Sequence, residues 1–315
     1  MAPSKKKRFN AFEDFPAAEE KPITNLNPTQ EPEKIVRDIE RIERLKPSEM
    51  MPDRFQPRRL LPMHIRQSFY TGEINCYQAA AEWLKYAQHD SGVKAEVERL
   101  ISLGNSFDEH GQIKAITGSW DNDPNGNFVF FIETGERRFW AACLQVSANH
   151  IKEEPLLRVE VVENPTRQRQ VLENRHAESP SAVEQACEVA ALILAELSIM
   201  PDGKVQDDYD YFRLARAQRM PAGLWDRITP IMQLTRPRMV QLLNILQLPS
   251  HLLEMADRFR LPERVLREIL GQPQKNWDAL IHQSIQKEDS EIHVEIRAEF
   301  PPGNATFNQR FQVVS

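Results

Sequence analysis

Long apolar runs, glycines and cysteines are all scarce in this chain of 315 residues, and each shortage excludes a class of protein. The longest apolar run, residues 189–194, is far shorter than the roughly 20 residues that a membrane-spanning helix needs. Only 11 glycines stand against 22 prolines, which disfavours a glycine-rich solenoid or a β-propeller. The cysteines, Cys76, Cys143 and Cys187, are odd in number and far apart, so we expect a reducing environment and no disulfide scaffold.

Charge and apolar content define what is present. Hydrophobic residues make up 41% of the chain, and 46 acidic against 40 basic residues give a net charge of −6. This composition is sufficient for at least one substantial core and excludes a wholly disordered chain. The length predicts two or three domains, and the basic run at residues 5–8 is not followed by the apolar segment of a secretory signal. We therefore expect a soluble cytoplasmic protein without a membrane segment.

The first two thirds of the chain predict a tail followed by a mixed domain. Residues 1–34 lack apolar periodicity and predict a flexible tail, whereas apolar residues recur at helical spacing over residues 35–45. Strand-like patterns occur at residues 112–120, 127–134 and 156–162. A long helix is predicted over residues 181–198, where Ser181 and Glu184 have the spacing of a capping box. We assign residues 35–200 to an α/β domain of an α+β protein.

The last third of the chain changes character twice. Residues 211–270 are helical in pattern and contain ten arginines, no lysine and five acidic residues, a local charge of +5 in an acidic protein. Such polarity is typical of a DNA-binding segment, so residues 201–271 are predicted to form an all-helical domain. Residues 290–300 and 308–314 alternate in polarity around a proline-rich turn. They predict a β-hairpin within residues 272–315 that pairs with a second copy of the chain.

Residues 224–249 have the pattern of a helix-turn-helix. Thr235 is a good N-cap for the second helix, in which apolar residues at helical spacing predict a buried stripe of Met239, Leu242, Leu243 and Leu246. The residues predicted to contact base edges or phosphates in a major groove are Thr235, Arg236, Arg238, Gln241 and Asn244. Pro230 interrupts the preceding helix, which must be short or kinked. The alternative is a small helical domain whose arginine surface is incidental.

A second motif, residues 135–142, follows a predicted strand and opens a predicted helix. Helix starts offer unpaired backbone N–H groups and a positive dipole end, which together favour anions. Arg137 and Arg138 add planar donors that match phosphate oxygens, beside Gly135 and Glu136. The alternative is a surface cluster of salt bridges at the start of a helix. Composition alone supports the two interpretations equally.

Four motifs, taken in order, carry a resemblance to a known family. They are residues 43–59, residues 111–113 leading into a strand, residues 135–142, and residues 173–174 ahead of a proline and a long helix. This series resembles the N-terminal, sulfiredoxin-like domain of the ParB partition proteins. The helix-turn-helix resembles the domain that follows it in that family, and the resemblance covers about residues 40–270.

The resemblance implies a pocket for CTP and Mg²⁺. The residues implied to bind the nucleotide are Gln56, Arg58, Gly135, Glu136, Arg137, Arg138 and Asn174. Glu173 and Asn174 are the implied metal ligands, since carboxylate and amide oxygens suit Mg²⁺, and Glu173 would be the catalytic residue of a CTP hydrolase. The alternative for this pair is ordinary capping at the start of a helix.

The resemblance also implies partners and a biological role. These are site-specific binding to double-stranded DNA, a homodimer, a Walker-type partition ATPase, and action near the nucleoid as a CTP-gated clamp in partition of a plasmid, phage or chromosome. Four features depart from the family: Trp140 and Ala177 replace family arginines, Pro180 is displaced from the family's proline position, and residues 60–110 hold an added helical segment. Two alternatives therefore stay open, a helix-turn-helix repressor with a decayed pocket and a Mg-dependent nuclease relative.

Overall fold

The computed structural model describes residues 41–123, 126–177, 179–202, 205 and 207–287. Within them the strands are Arg41–Leu45 (β1), Met50–Pro52 (β2), Ile116–Asn122 (β3), Phe128–Thr134 (β4) and Leu157–Val161 (β5). The helices of the first half are Met63–Tyr70 (α1), Cys76–Ala87 (α2), Ser91–His110 (α3), Glu136–Asn149 (α4) and Arg167–Ala177 (α5). Those that follow are Ala182–Glu196 (α6), Asp208–Ala217 (α7), Leu224–Met232 (α8), Arg236–Ile245 (α9), Ser250–Arg258 (α10), Glu263–Leu270 (α11) and residues 277–287 (α12).

The strands form one mixed sheet in the order β1-β5-β3-β4-β2. The pairs β1–β5 and β3–β4 are antiparallel, whereas β5–β3 and β4–β2 are parallel. Gly118 on β3 sits where an added β-carbon would lie 2.1 Å from the backbone oxygen of Phe131. Only a residue without a side chain fits at this point of close approach, so Gly118 allows β3 and β4 to pair.

One apolar core lies between the sheet and helices α1 to α4. Phe130 and Ile132 of β4 are buried in it. Trp140 on α4 is also fully buried and packs edge-on against Phe69 at 5.2 Å and Trp83 at 6.1 Å between ring centroids. The helices within residues 60–110 therefore belong to this core, and Trp140 is one of its large apolar residues.

A second apolar core is built by helices α6 to α12, with α6 at its centre. The α6 helix begins with the predicted capping box, which is confirmed. The Glu184 backbone N–H donates to the Ser181 hydroxyl at 3.0 Å, and the Ser181 N–H donates to the Glu184 carboxylate at 2.7 Å. Residues 182–194 are buried almost throughout, because both faces of this apolar helix meet other helices. The domain boundary expected at residue 200 stays a prediction.

Three arginines between β2 and the end of α1 join the two cores. The Nε atoms of Arg54 and Arg66 each donate to the Asp208 carboxylate at the start of α7, at 2.8 Å. Arg58 Nε donates to the Glu184 carboxylate on α6 at 3.0 Å. All of these carboxylates are buried, and losing one partner of a buried ion pair costs about 3–5 kcal/mol. Charged contacts therefore fix the first helices of the second core to the sheet domain.

One expectation from periodicity is wrong in its described part. Residues 41–45, predicted as helix, form β1, because Arg41 to Leu45 pair antiparallel with Val161 to Leu157 of β5. This partner lies more than 100 residues away, and its pairing outweighs the helical spacing of Ile42 and Leu45. The tail of residues 1–34 and the hairpin of residues 290–300 and 308–314 lie outside the described residues. Within the described part, no helix is long and apolar enough to cross a bilayer.

Candidate functional site

The first candidate site is built around the turn that joins β4 to α4. Gly135 has a φ of 96°, a left-handed conformation, and α4 begins at Glu136 as the sequence predicted. A β-carbon at Gly135 would lie 3.2 Å from the Ile116 Cα, so glycine suits both the conformation and the space. The turn places Arg137 and Arg138 in the first turn of α4.

Both arginines of this turn reach acceptors on neighbouring elements. Arg138 Nη1 donates to the backbone oxygen of Ala115 at 3.1 Å, and its Nη2 lies 3.5 Å from Glu173 Oε1. Arg137 Nη2 lies 3.8 Å from Glu96 Oε1 on α3. The structure therefore brings Arg138 and Glu173 together, although they are far apart in the sequence.

Glu136 is turned inward from the same helix start. Its Oε1 accepts a hydrogen bond from Trp140 Nε1 at 2.9 Å. Burial raises the pKa of the Glu136 carboxyl to about 7, against the smaller opposing effects of this hydrogen bond and of Arg66 and Arg58. Glu136 is thus engaged within the fold, and it lies close enough to Arg58 for the two charges to interact.

Two side-chain amides near this region lack partners. Gln56 is only 3% exposed, and its Nε2 has no hydrogen-bond partner among the described residues. The Nδ2 atom of Asn174 is also buried and has no hydrogen-bond partner among the described residues. Leaving a buried donor unpaired costs about 1–3 kcal/mol, so each amide requires a further partner, such as a ligand or a water molecule.

Glu173 and Asn174 lie inside α5, not at the start of a helix, so capping does not account for them. The neighbouring Arg175 pairs instead with buried Glu188, with Nη1 and Oε2 3.3 Å apart. Burial raises the pKa of the Glu188 carboxyl to about 7, and Arg175 acts against this rise. Arg175 is therefore a structural residue here, and it does not replace the family arginine whose position Ala177 occupies.

A cavity of about 140 Å³ lies beside Arg58, between α3 and α10. Arg59, Arg66, Arg99, Arg258 and Arg260 also line it, together with acidic residues that include Glu184 and Asp257. The residues of the β4–α4 turn, Gln56, Glu173 and Asn174 do not line this cavity. Of the residues implied to bind nucleotide, the cavity therefore contains Arg58 alone.

The residues around Glu173 fit a metal that arrives with a nucleotide better than a preformed metal site. Across the described residues, no group of three or more His, Cys, Asp or Glu side chains is placed to hold a metal ion. Mg²⁺ commonly takes one or two protein ligands and completes its shell with phosphate oxygens and water. Glu173 and Asn174 would hold such an ion, which would neutralise charge on the phosphates.

The second candidate site is the helix-turn-helix of α8 and α9. Residues 233–235 connect the helices, with Gln233 in the left-handed region at a φ of 53°. A turn of this length is typical of the motif. Thr235 occupies the predicted N-cap position, but its side chain makes no capping hydrogen bond. The stripe predicted to be buried is confirmed for Met239, Leu242, Leu243 and Leu246.

The predicted DNA-contact residues divide into two groups. Arg236 and Asn244 are exposed, and the Arg236 guanidinium lies over the Trp225 ring at 5.6 Å. Arg238 instead forms an ion pair with Glu263 on α11, and Gln241 is only half-exposed. Reasoning from the sequence missed Val240, which is exposed on the Arg236–Asn244 side of the helix. The signal was available in the sequence, because Val240 lies four residues from Arg236 and four residues from Asn244.

Most arginines of the basic segment are already paired. Arg213, Arg227, Arg238, Arg258, Arg264 and Arg267 each contact at least one carboxylate. Arg216, Arg219 and Arg236 are exposed and form no ion pair within the part of the chain that the structure describes. The positive charge available to a partner is therefore concentrated at the end of α7 and the start of α9.

No protein-family model and no curated protein sequence matches the chain. A solved structure of the C-terminally truncated chromosome-partitioning protein ParB from Caulobacter crescentus, complexed with CTP-γ-S, is similar at 16% identity. The match covers 78% of this chain and 98% of that one, with a TM-score of 0.26. A TM-score this low carries no functional inference.

Proposed function

We propose that this protein is a ParB-like, site-specific binder of double-stranded DNA that acts in partition of a plasmid, phage or chromosome. The observation that carries the proposal is the division of α9 into a buried apolar stripe and an exposed face with Arg236 and Asn244. In a helix-turn-helix, the exposed face of the second helix enters the major groove. Arginine and asparagine are side chains that read guanine and adenine there.

Electrostatics supports the same surface. Arg236 leaves positive charge exposed at the start of α9, although the whole protein is acidic. Phosphate contacts supply most nonspecific affinity for DNA, and base contacts supply the discrimination. The exposed face of α9 offers Arg236 for contacts of either kind and Asn244 for contacts with bases.

The test is selection from random DNA, followed by binding measurements in increasing salt. We expect an enriched sequence and a strong loss of affinity as salt rises. Gln241→Ala tests a predicted base contact, and it should relax sequence preference more than it lowers nonspecific affinity. Arg264→Ala is the matched control, because Arg264 is exposed but paired with Glu268 on α11. Failure to enrich any sequence would exclude site-specific recognition.

The second part of the proposal is that the β4–α4 turn binds CTP with Mg²⁺ and thereby gates a DNA clamp. Its support is the arrangement of a glycine turn, the Arg138–Glu173 contact and two unpartnered amides, Gln56 and Asn174. Amide N–H groups and arginine can donate to phosphate or base oxygens. When bound, CTP and Mg²⁺ would together form a charged ligand, and Glu173 could assist hydrolysis of the CTP.

Calorimetry with CTP, ATP, GTP and UTP, each with and without the selected DNA, tests this second part. We expect Mg²⁺-dependent binding that is strongest for CTP, and release of phosphate if Glu173 acts in hydrolysis. DNA binding without nucleotide binding would favour the repressor alternative. Mg²⁺-dependent DNA nicking would favour the nuclease alternative.

The proposed partners have their own tests. Dimerisation predicts that removing residues 288–315 shifts the mass measured by light scattering towards a monomer. A retained oligomer would instead place dimerisation elsewhere. A gene for a Walker-type ATPase at the same locus would support partition over repression, and pull-down with that ATPase would test the contact.

A further inference from the structure

The exposed face of α9 holds an apolar residue between two polar ones. Val240 is 40% exposed, and it lies one helical turn from Arg236 on one side and from Asn244 on the other. Nothing within the described residues covers it fully, whereas Arg238 is held by Glu263 and Gln241 is half-buried. The surface that α9 presents is therefore the series Arg236, Val240 and Asn244, which differs from the polar set that the sequence predicted.

Each member of this series suits a different base. Arginine pairs with the O6 and N7 atoms of guanine, and asparagine pairs with the N6 and N7 atoms of adenine. An apolar side chain instead contacts the 5-methyl group of thymine, which is the one apolar group in the major groove. The exposed guanidinium of Arg236 supplies positive charge on this same face, which complements the phosphates of DNA.

The spacing on the helix sets the order of the bases. Four residues of an α-helix rise about 6 Å, and successive base pairs are about 3.4 Å apart, so neighbouring members of the series lie roughly two base steps apart. A helix that follows the groove would therefore contact guanine, thymine and adenine in that order, each separated by about one unread base pair.

We propose that Val240 is a specificity-determining residue, which reads a thymine methyl group between a guanine contacted by Arg236 and an adenine contacted by Asn244. This inference rests on the proposed DNA-binding function and adds the chemistry of the preferred site. The guanine and adenine contacts follow general pairing rules. The thymine contact depends on the exposed valine of this chain.

The experiment replaces thymine by uracil, which removes only the methyl group. Binding-site selection first identifies the preferred sequence, and each thymine in it is then replaced singly by uracil. Burial of one methyl contributes enough to predict about a fourfold loss of wild-type affinity at one position and no loss at the others. Val240→Ala, which removes both γ-methyl groups but keeps the β-carbon, should lose a similar factor on the thymine site and should distinguish thymine from uracil less than the wild type does.

Two further variants separate the contact from general effects. Val240→Thr keeps one methyl group and should keep part of the sensitivity to uracil at the same position. Leu172→Ala shortens an exposed apolar side chain on a different helix, α5, and should keep the wild-type sensitivity to uracil. Val240 is exposed, so Val240→Ala should unfold at the same urea concentration as the wild type, which excludes a folding defect.

The outcomes distinguish this inference from the function on which it rests. A selected DNA sequence whose thymines can all be replaced without loss would overturn the role of Val240 but would leave DNA binding intact. If replacing thymine by uracil cost Val240→Ala as much affinity as it costs the wild type, the role of Val240 would likewise be overturned and DNA binding would stand. If no sequence were selected at all, both the proposed DNA function and the thymine contact would be excluded.

Discussion

The start of α4 and the start of α9 each carry a pair of arginines, and the two pairs make different contacts in the fold. At the start of α4, both Arg137 and Arg138 reach acceptors, since Glu96, Glu173 and a backbone oxygen surround them. At the start of α9, Arg238 pairs with Glu263, whereas Arg236 lies over an aromatic ring and remains exposed. Similar sequence patterns therefore produce one engaged pair and one divided pair.

The difference shows that the acceptors on neighbouring elements decide what an arginine can do. At the start of α4, the neighbouring helices α3 and α5 supply the carboxylates of Glu96 and Glu173. Around α9, one acidic residue on α11 is available, and it selects Arg238 over Arg236. An arginine pair at a helix start is therefore a candidate anion site only after its contacts within the fold are known.

The largest effect that we expect is on the engaged pair. Arg138→Ala should weaken CTP binding by roughly tenfold or more, because a charge-assisted hydrogen bond contributes about 1.5–3 kcal/mol. Arg138→Lys, which keeps the charge but loses the planar fork, should recover only part of the affinity. Calorimetry measures both, and circular dichroism verifies that the variants are folded.

The control for this prediction is Arg99→Ala, since Arg99 lies on α3 and contacts Glu96 from a more exposed position. It should bind CTP like the wild type. If Arg138→Ala also bound CTP normally, the β4–α4 turn would not be a nucleotide site, and the contact with Glu173 would be purely structural.

The divided pair should separate stability from DNA affinity. Arg238→Ala should lower the free energy of unfolding by about 1–2 kcal/mol, because it leaves the buried Glu263 carboxylate without its nearest partner. Arg236→Ala should change stability by less than about 0.5 kcal/mol. Urea denaturation of the two variants checks this, and equal stabilities would contradict the assignment of Arg238 as a structural residue.

The inward-facing carboxyl at the start of α4 makes stability depend on pH. The pKa of Glu136 is raised to about 7 by burial, so its favourable contribution is fully present below its ordinary pKa and is lost as pH rises through 7. We expect the melting temperature to fall between pH 5 and pH 8, and to fall by about 2–4 °C less in Glu136→Gln. Glutamine keeps the acceptor for Trp140 without the charge.

Thermal melts at several pH values give the slope for each protein. Glu136→Gln retains a contribution of the same sign from Glu188, whose pKa burial also raises to about 7. The melting temperature of the variant should therefore depend less on pH than that of the wild type, but should still depend on it. An unchanged slope in Glu136→Gln would show that this carboxyl is not protonated in the folded protein at neutral pH.

The smallest expected effect concerns Arg236 alone. If Arg236 contacts a phosphate, Arg236→Ala should lower the dependence of log affinity on log salt by about one unit. Contact with guanine would instead relax the preference at one position of the selected site. Arg238→Ala should leave both quantities unchanged, because its guanidinium is held by Glu263. A loss of salt dependence in Arg238→Ala would mean that the ion pair opens on DNA.

Local features of both sites could be predicted from the sequence, because their causes are local. The glycine turn before Arg137, the capping box at Ser181 and the buried stripe of α9 depend on residues within a few positions of one another. The Arg238–Glu263 pair joins residues 25 positions apart, and the pairing of β1 with β5 joins residues more than 100 apart. The spacing of apolar residues along the sequence does not reveal contacts between residues so far apart.

Trp140 shows a different limit. Its position in a family motif suggested a lost phosphate donor, whereas in the fold it fills a space between Phe69 and Trp83. The inserted segment of residues 60–110 supplies both of those aromatic partners. The place of Trp140 is therefore explained by packing, which required knowledge of how α1 and α2 lie against α4.

The position of α6 has a consequence for fragments of the chain. This helix precedes residue 200, but its buried face fills the middle of the core that α7 to α11 surround. Protease cleavage at residues 200–202 would therefore break the polypeptide while leaving α6 held noncovalently by the later helices. The two fragments should copurify and should melt together, whereas the C-terminal fragment expressed alone would lack the helix around which it folds.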